Sequence, residues 1–341
     1  MAVPLSVLDL APVAAGSTPR DALANTLDLA RLAERLGYAR VWYAEHHGMP
    51  NIASSAPEVL IAHVAAGTER IRVGSGGVML PNHVPLRLAE AFHTLETLHP
   101  DRIDLGIGRA PGTDPATSRA LRPFDAEQFP QQLAELVALS GGSFEEGHPF
   151  RRVRVVPGGV SLPPVWLLGS SGATARMAGE MGMGYAFASH FSPSPPAPVL
   201  AAYRDAFVPS EAFPRPHAIV CVSVVCAEDS EEAERLSLSM QLVWVRLQRG
   251  ELGPIPTPEE AAAYPYNAVE RSVAAAYRRL QVVGSPAEVR ARIESLADLG
   301  GRADDTGADE VMVTTVVHDH AARRRSYELL AEAMGVEGPS K

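Results

Sequence analysis

Eight short runs rich in β-branched and aliphatic residues recur along the 341-residue chain, separated by longer amphipathic or turn-rich stretches. They read LSVLDLA (5–11), RVWYAEH (40–46), RIRVGSGGVML (70–80), RIDLGIG (102–108), VWLLGS (165–170), GYAFAS (184–189), HAIVCVSVVC (217–226) and DEVMVTTVV (309–317). Strands alternating with helical stretches in this way predict a parallel α/β architecture. Eight such units predict a closed (β/α)8 TIM barrel, and no GxGxxG follows the first run as an open dinucleotide-binding sheet would favour. One barrel domain over residues 1–341 is the expected organisation.

The stretches between the runs carry helix punctuation. DALANTLDLARLAERLG (21–37) ends in a helix-terminating Gly37. PLRLAEAFHTLETLHP (85–100) has Pro85 at its start and Pro100 just beyond its end. SPAEVRARIESLADLG (285–300) opens with Ser285 and Glu288 at capping-box spacing. Two stretches break the pattern. Residues 141–164 predict a hairpin inserted before the fifth strand, and residues 250–283 a long insertion after the seventh helix, of the kind that forms lids and binding loops.

Composition narrows the partners. Hydrophobic residues make up 46% and aromatics 6%, so the core is mostly aliphatic. The formal charge is −10 and no block of five basic residues occurs, which argues against nucleic acid and anionic membranes. The cluster Arg323–Arg325 reads as the solvated face of a last helix. No run approaches the roughly 20 apolar residues of a membrane span, and the first residues read as a strand rather than a signal peptide. Cys221 and Cys226, an odd separation apart in one strand, face opposite ways and are not expected to pair. A cytoplasmic location is the expectation.

Four strand ends carry chemistry. The first, WYAEHHGMPN (42–51), sets Glu45, His46 and His47 in a row. Consecutive strand residues alternate in direction, so His46 turns away from the other two, which weighs against a shared metal. The second, GSGGVMLP (74–81), places three glycines within four positions, for a flat ligand against the backbone or for a bulge at the barrel rim. In the third, LGIGRAPGTD (105–114), Gly108 leaves room beside Arg109, whose forked donors suit a phosphate or simply a structural contact. The fourth, LLGSSGATARMAG (167–179), ends a strand in Gly169, Ser170 and Ser171 and starts a helix at which an anion is favoured; capping by Ser171 is the alternative.

These stretches, with PLRLAEAF (85–92) and VGSPAEV (283–289), occur in an order and spacing that resembles the bacterial-luciferase-like family of flavin-dependent monooxygenases, across roughly residues 1–335. The resemblance implies a barrel that binds reduced FMN and uses O2 to oxygenate a small organic substrate, with a separate NAD(P)H:flavin reductase as a possible source of reduced flavin. It implies that His46 lies near the reactive edge of the flavin, that Gly76 and Gly77 are joined by a cis peptide beneath it, and that Gly108 and Gly169 line it. It further implies that Arg109, Ser170, Ser171 and Thr174 hold its phosphate end, and that Glu90 sits at a homodimer interface. Ser170 stands where luciferase has an acid and Gly108 where it has a cysteine, so light emission is not implied. Other readings are an FMN- or deazaflavin-dependent reductase or dehydrogenase, a non-catalytic flavin-binding protein and, more remotely, a metal-dependent barrel hydrolase. His190, Phe191, Trp244 and Tyr266 are the aromatic candidates for pocket lining; the substrate itself is not legible.

Overall fold

Each of the eight runs contains a strand in the computed structural model, which describes residues 3–122, 125–297 and 307–338. In chain order the strands are β1 (Leu5–Asp9), β2 (Arg40–Tyr43), β3 (Arg72–Ser75), β4 (Val78–Met79), β5 (Ile103–Gly108), β6 (Val165–Gly169), β7 (Gly184–Ala188), β8 (Ala218–Cys226), β9 (Gln281–Gly284) and β10 (Glu310–Thr314). Eight of them form a parallel ring in the order β10, β1, β2, β3, β5, β6, β7, β8, and β10 pairs with β8 to close it. β4 pairs with the end of β5, and β9 continues alongside Ser223–Cys226 at the far end of the long β8. Closure leaves no free edge in the ring, and helices cover its outside.

Alternation along the strands divides the core. Leu8, Trp42, Ala44, Trp166, Ala186, Ile219, Cys221 and Met312 form a cluster within the barrel. The residues of opposite parity join the larger aliphatic layer between barrel and helices. Cys221 is in the first cluster and Cys226 in the second; both are free thiols. Helix ends follow the local chemistry. Thr18 and Asp21 form a capping box ahead of Pro19–Leu36, and Gly37 closes that helix at φ 90°, a conformation that side chains disfavour. Glu288 reaches back to the Ser285 amide at 2.8 Å; the expected end of that helix, residues 298–300, lies outside the described residues.

Three expectations need correction. Residues 142–164 hold turns and a cis Val156–Pro157 bond but no paired strands, so there is no hairpin. The 250–283 stretch is more regular than its weak periodicity suggested: it forms helices Pro258–Ala263 and Ala268–Arg278, capped by Thr257 and Asn267, and then β9. The last helix, His320–Met334, does not simply present Arg323–Arg325 to solvent. Arg323 is 1% exposed and donates to Asp9 at 2.7 Å and to the Thr315 carbonyl, because a guanidinium can be buried where carboxylate and carbonyl oxygens receive its donors. Among the described residues no helix is long and apolar enough to cross a membrane.

The N-terminal end of the barrel is closed by charge. Arg40 at the start of β2 donates Nε and Nη2 to Glu310 and Nη1 to Asp104. Arg72 and the Trp42 indole also donate to Asp104, and Ser6 donates to Glu310. A cavity of about 780 Å3 opens beneath, lined by Arg40, Arg72, Asp104, Trp166, Arg204 and His217 among others. All three donor nitrogens of Arg40 and of Arg72 are committed within the protein, so this end reads as scaffold. The strand ends with special residues lie at the opposite mouth.

Candidate active site

Three consecutive residues after β2 divide as strand geometry requires. Glu45, 1% exposed, accepts from the Met79 amide at 2.8 Å, Asn82 Nδ2 at 2.9 Å, and one ring nitrogen each of His47 (2.9 Å) and His83 (2.8 Å). Asn82 also donates to the Pro111 carbonyl, and the His47 carbonyl accepts from Thr113. One buried carboxylate therefore ties together the loops that follow β2, β4 and β5. Burial acts to raise its pKa, but hydrogen bonds and charge from His83, with Asn82 and His47, outweigh that and hold it below the usual carboxylate value. Burial disfavours protonation of His83, yet Glu45 wins there as well and raises it. We expect Glu45→Gln to remove that opposition, so that the His83 pKa falls below the ordinary imidazole value in an NMR titration. An unchanged His83 would show that Glu45 does not control it.

His46 faces the other way. Its Nδ1 is buried without a hydrogen-bond partner, while its amide donates to the Ser54 carbonyl and fixes the backbone. Burial pushes its pKa down to about 4; Glu45 opposes this and His47 adds to it. At neutral pH the ring is therefore uncharged, with one nitrogen a donor and the other an acceptor. Among the described residues no group of three potential ligands is arranged to hold a metal.

The Gly76–Gly77 peptide is cis and separates β3 from β4. These glycines answer first to the protein's own packing. A Cβ on Gly76 would sit 2.7 Å from Leu8 Cδ1, one on Gly77 2.8 Å from the Gly106 carbonyl oxygen, and one on Gly108 2.7 Å from Met79 Sδ. At Gly77 the obstacle is the β5 backbone itself, which requires glycine whether or not a ligand lies there; at Gly76 and Gly108 it is the end of the flexible Leu8 or Met79 side chain.

Arg109 follows β5, is exposed, and makes no hydrogen bond or ion pair among the described residues. β6 is the next strand in the ring, and beyond it Ser170 and Ser171 lead into the helix Gly172–Glu180. Ser171 stands at the N-cap with extended backbone, but its hydroxyl makes no capping bond. Thr174, 6% exposed, packs its side chain over Gly169, whose Cβ would lie 3.1 Å from that of Thr174. A free guanidinium, an uncommitted hydroxyl and open helix-terminal amides on neighbouring strand ends are what a phosphate group needs.

Of the aromatic candidates, His190 and Phe191 follow β7 and touch edge to face at 4.6 Å. His190 Nδ1 is buried and unpartnered. Trp244 stacks on Tyr277 at 4.8 Å and Tyr266 meets Tyr264 at 4.8 Å, so both are packing residues of the helical layer. The sequence reading missed the Glu45–His83–Asn82 cluster; a glutamate beside histidines gave no sign of which loop it would gather.

The C-terminal mouth of this closed parallel barrel thus gathers a buried neutral histidine, a glycine-rich strand end, an unpartnered guanidinium and an open helix N-terminus. The sequence profile described as luciferase-like monooxygenase matches residues 3–303, and the chain belongs to that family. It is 45% identical over 330 residues to a luciferase-like monooxygenase of Escherichia coli strain K12, covering 96% of each chain. It is 34% identical over 337 residues to the N-acetyl-S-alkylcysteine monooxygenase of Bacillus subtilis strain 168, covering 97% of this chain and 98% of that one. The crystal structure of apo-MsnO8 superposes with a TM-score of 0.88 at 40% identity over 98% of both chains. At lower identity the fold is shared with the oxygenating constituent of 3,6-diketocamphane monooxygenase of Pseudomonas putida in complex with FMN (TM-score 0.69, 19%) and with an F420-dependent secondary alcohol dehydrogenase (0.67, 14%). Family membership makes the protein an enzyme of the luciferase-like monooxygenase class.

Proposed function

We propose that the protein is an FMN-dependent monooxygenase that uses reduced flavin and O2 to oxygenate a small organic substrate. The observation that carries this reading is the pairing of an unpartnered Arg109 with a Ser171 hydroxyl that makes no capping bond, on adjacent strand ends. Arg109 and the Ser170 and Ser171 hydroxyls would hold the phosphate, with the helix amides and Thr174 behind them. Gly76, Gly77, Gly108 and Gly169 would leave the ring system a wall free of side chains. The chemistry reduced FMN supplies when bound is two-electron activation of O2, one oxygen atom passing to the substrate and the other leaving as water.

The protein's own residues supply placement. His46, held by its backbone bond to Ser54 and uncharged at neutral pH, would orient the reacting oxygen or move a proton through Nδ1. The Glu45 cluster fixes the loops around it. Glu90, half-buried on the helix Pro85–Leu98 and 3.4 Å from Arg87, belongs to the face on which we propose the homodimer forms.

Arg109→Ala is expected to weaken FMN about 10- to 100-fold, from the loss of roughly 1.5–3 kcal/mol in charge-assisted hydrogen bonds. Equilibrium fluorescence titration checks it, and equal affinity would overturn the phosphate site. The shared fold of an F420-dependent alcohol dehydrogenase favours a second reading, a deazaflavin-dependent dehydrogenase. Oxygen uptake separates the two: a panel of candidate thioethers and carbonyl compounds that includes N-acetyl-S-alkylcysteines should show stoichiometric O2 consumption only under the monooxygenase reading.

A further inference from the structure

His46 and His190 stand just beyond β2 and β7. In the ring those strands are four places apart and so lie on opposite sides of the mouth. Each residue comes two positions after a small side chain, Ala44 or Ala188, and Ala44 belongs to the cluster inside the barrel. The two rings are near enough to act on each other: His46 disfavours protonation of His190. Both Nδ1 atoms are buried with no hydrogen-bond partner. A buried polar atom left without a partner is costly, and two of them at opposite strand ends of one mouth leave hydrogen-bonding capacity there for a ligand.

The tautomer of His190 fixes what that something offers. Burial pushes the ring down to about 4, so it is neutral at neutral pH, while the Cys221 backbone works in the opposite direction; with Nδ1 unpartnered, Nε2 is the nitrogen left to face that backbone. A neutral imidazole that donates from Nε2 keeps Nδ1 as an acceptor. The floor below is uncharged. Ala44, Gly108 and Ala188 present little or nothing, and Thr314 contributes a buried hydroxyl that is itself unpartnered. A carboxylate or ammonium of the substrate would find no opposite charge on any of these residues.

We propose that His190 is a substrate-binding residue of the same mouth, its Nδ1 accepting a hydrogen bond from an uncharged O–H or N–H of the substrate, opposite the histidine assigned to the flavin. The assignment rests on the proposed function for the placement of flavin beside His46. It selects substrates whose buried end is a neutral alcohol, phenol or amide and discriminates against those that offer only acceptors there.

The test uses two probes of similar shape, cyclohexanol and methoxycyclohexane, added to the full-length protein with and without FMN while the histidine ring 15N signals are followed. Cyclohexanol is expected to shift His190 Nδ1 and to bind about two- to tenfold more tightly than the ether, the range of one neutral hydrogen bond. His190→Ala should abolish that difference while FMN affinity stays at the wild-type value; His190→Asn, which retains a polar side chain, reports on folding by its melting temperature. Equal binding of the ether, a response confined to His46, or a loss of FMN affinity in His190→Ala matching that of Arg109→Ala would each overturn the proposal. Wild-type protein that fails to bind FMN would instead count against the proposed function and leave the probe comparison readable.

Discussion

His46→Ala is expected to lower substrate oxygenation by about 10²- to 10⁴-fold, the usual contribution of one positioned acid–base group, with FMN affinity little changed. The reason is geometric. The His46 backbone is fixed by its amide's bond to the Ser54 carbonyl and by the Glu45–His47 bond next to it, and the ring offers a buried Nδ1 that nothing in the protein engages. Removing it should leave the Arg109 end of the mouth untouched. Reduced FMN and O2 should then still react, but with hydrogen peroxide released in place of product. The checks are product yield per O2 consumed and a pH–rate profile. A ring that stays neutral down to about pH 4 predicts a wild-type profile without a His46 limb between pH 5 and 8. Undiminished, fully coupled turnover in the variant would remove His46 from the chemistry.

Arg40→Ala is expected to cost about 3–5 kcal/mol of stability, the range for removing one partner of a buried ion pair. Arg40 is 7% exposed and lies between Asp104 and Glu310, which are 0% and 1% exposed. Truncation would leave Glu310 buried with only the Ser6 hydroxyl and a poorly aligned His217 nearby. Arg40→Lys should recover part of the loss, since an ammonium keeps the charge but not the fork that reaches both carboxylates. Chemical denaturation measures both; a change below about 1 kcal/mol for Arg40→Ala, ordinary for a surface pair, would show that the network does not hold the barrel closed.

The same groups give stability a pH dependence with a definite sign. Burial would raise the Glu310 pKa, but Arg40, His217 and Ser6 hold it at about 2 against an ordinary 4.5. Its stabilisation is present above pH 4.5 and is lost as pH falls toward 2. His46 and His190 are held near 4 against 6.5, so the unfolded chain binds more protons between those values. That term also weakens the fold as pH falls, from about 6.5 to 4. His83 runs the other way: its raised pKa contributes below 6.5 and fades as pH rises through the folded value.

Much of this protein was legible in its sequence, and what was legible was local. A strand that packs between barrel interior and helices must be apolar on both faces, so all eight ring strands stand out as aliphatic runs. Alternation along β2 separated His46 from Glu45 and His47 before any coordinates did. The glycines of 74–77 marked a place where β3 and β5 approach too closely for side chains, Gly74 against Asp104 and Gly77 against Gly106. Short or weakly patterned elements were harder. The two-residue β4, and β9 beside the overhanging end of β8, carry too few residues for a period to show. The supposed hairpin at 141–164 had the composition of strands without a partner to pair with.

What the sequence determined, then, was the number and kind of units, their order, and which residue types end each strand, because burial period and capping chemistry act over neighbouring residues. Which residues meet was decided only by the closure of the ring. Arg40 meets Asp104 and Glu310, 64 and 270 positions away; Arg323 meets Asp9, 314 positions away; His46 comes near enough to His190 to disfavour its protonation. Strand register and barrel closure bring those groups together, and the resulting burial pushes the two imidazoles to their neutral form, a property that no stretch of sequence around either histidine contains.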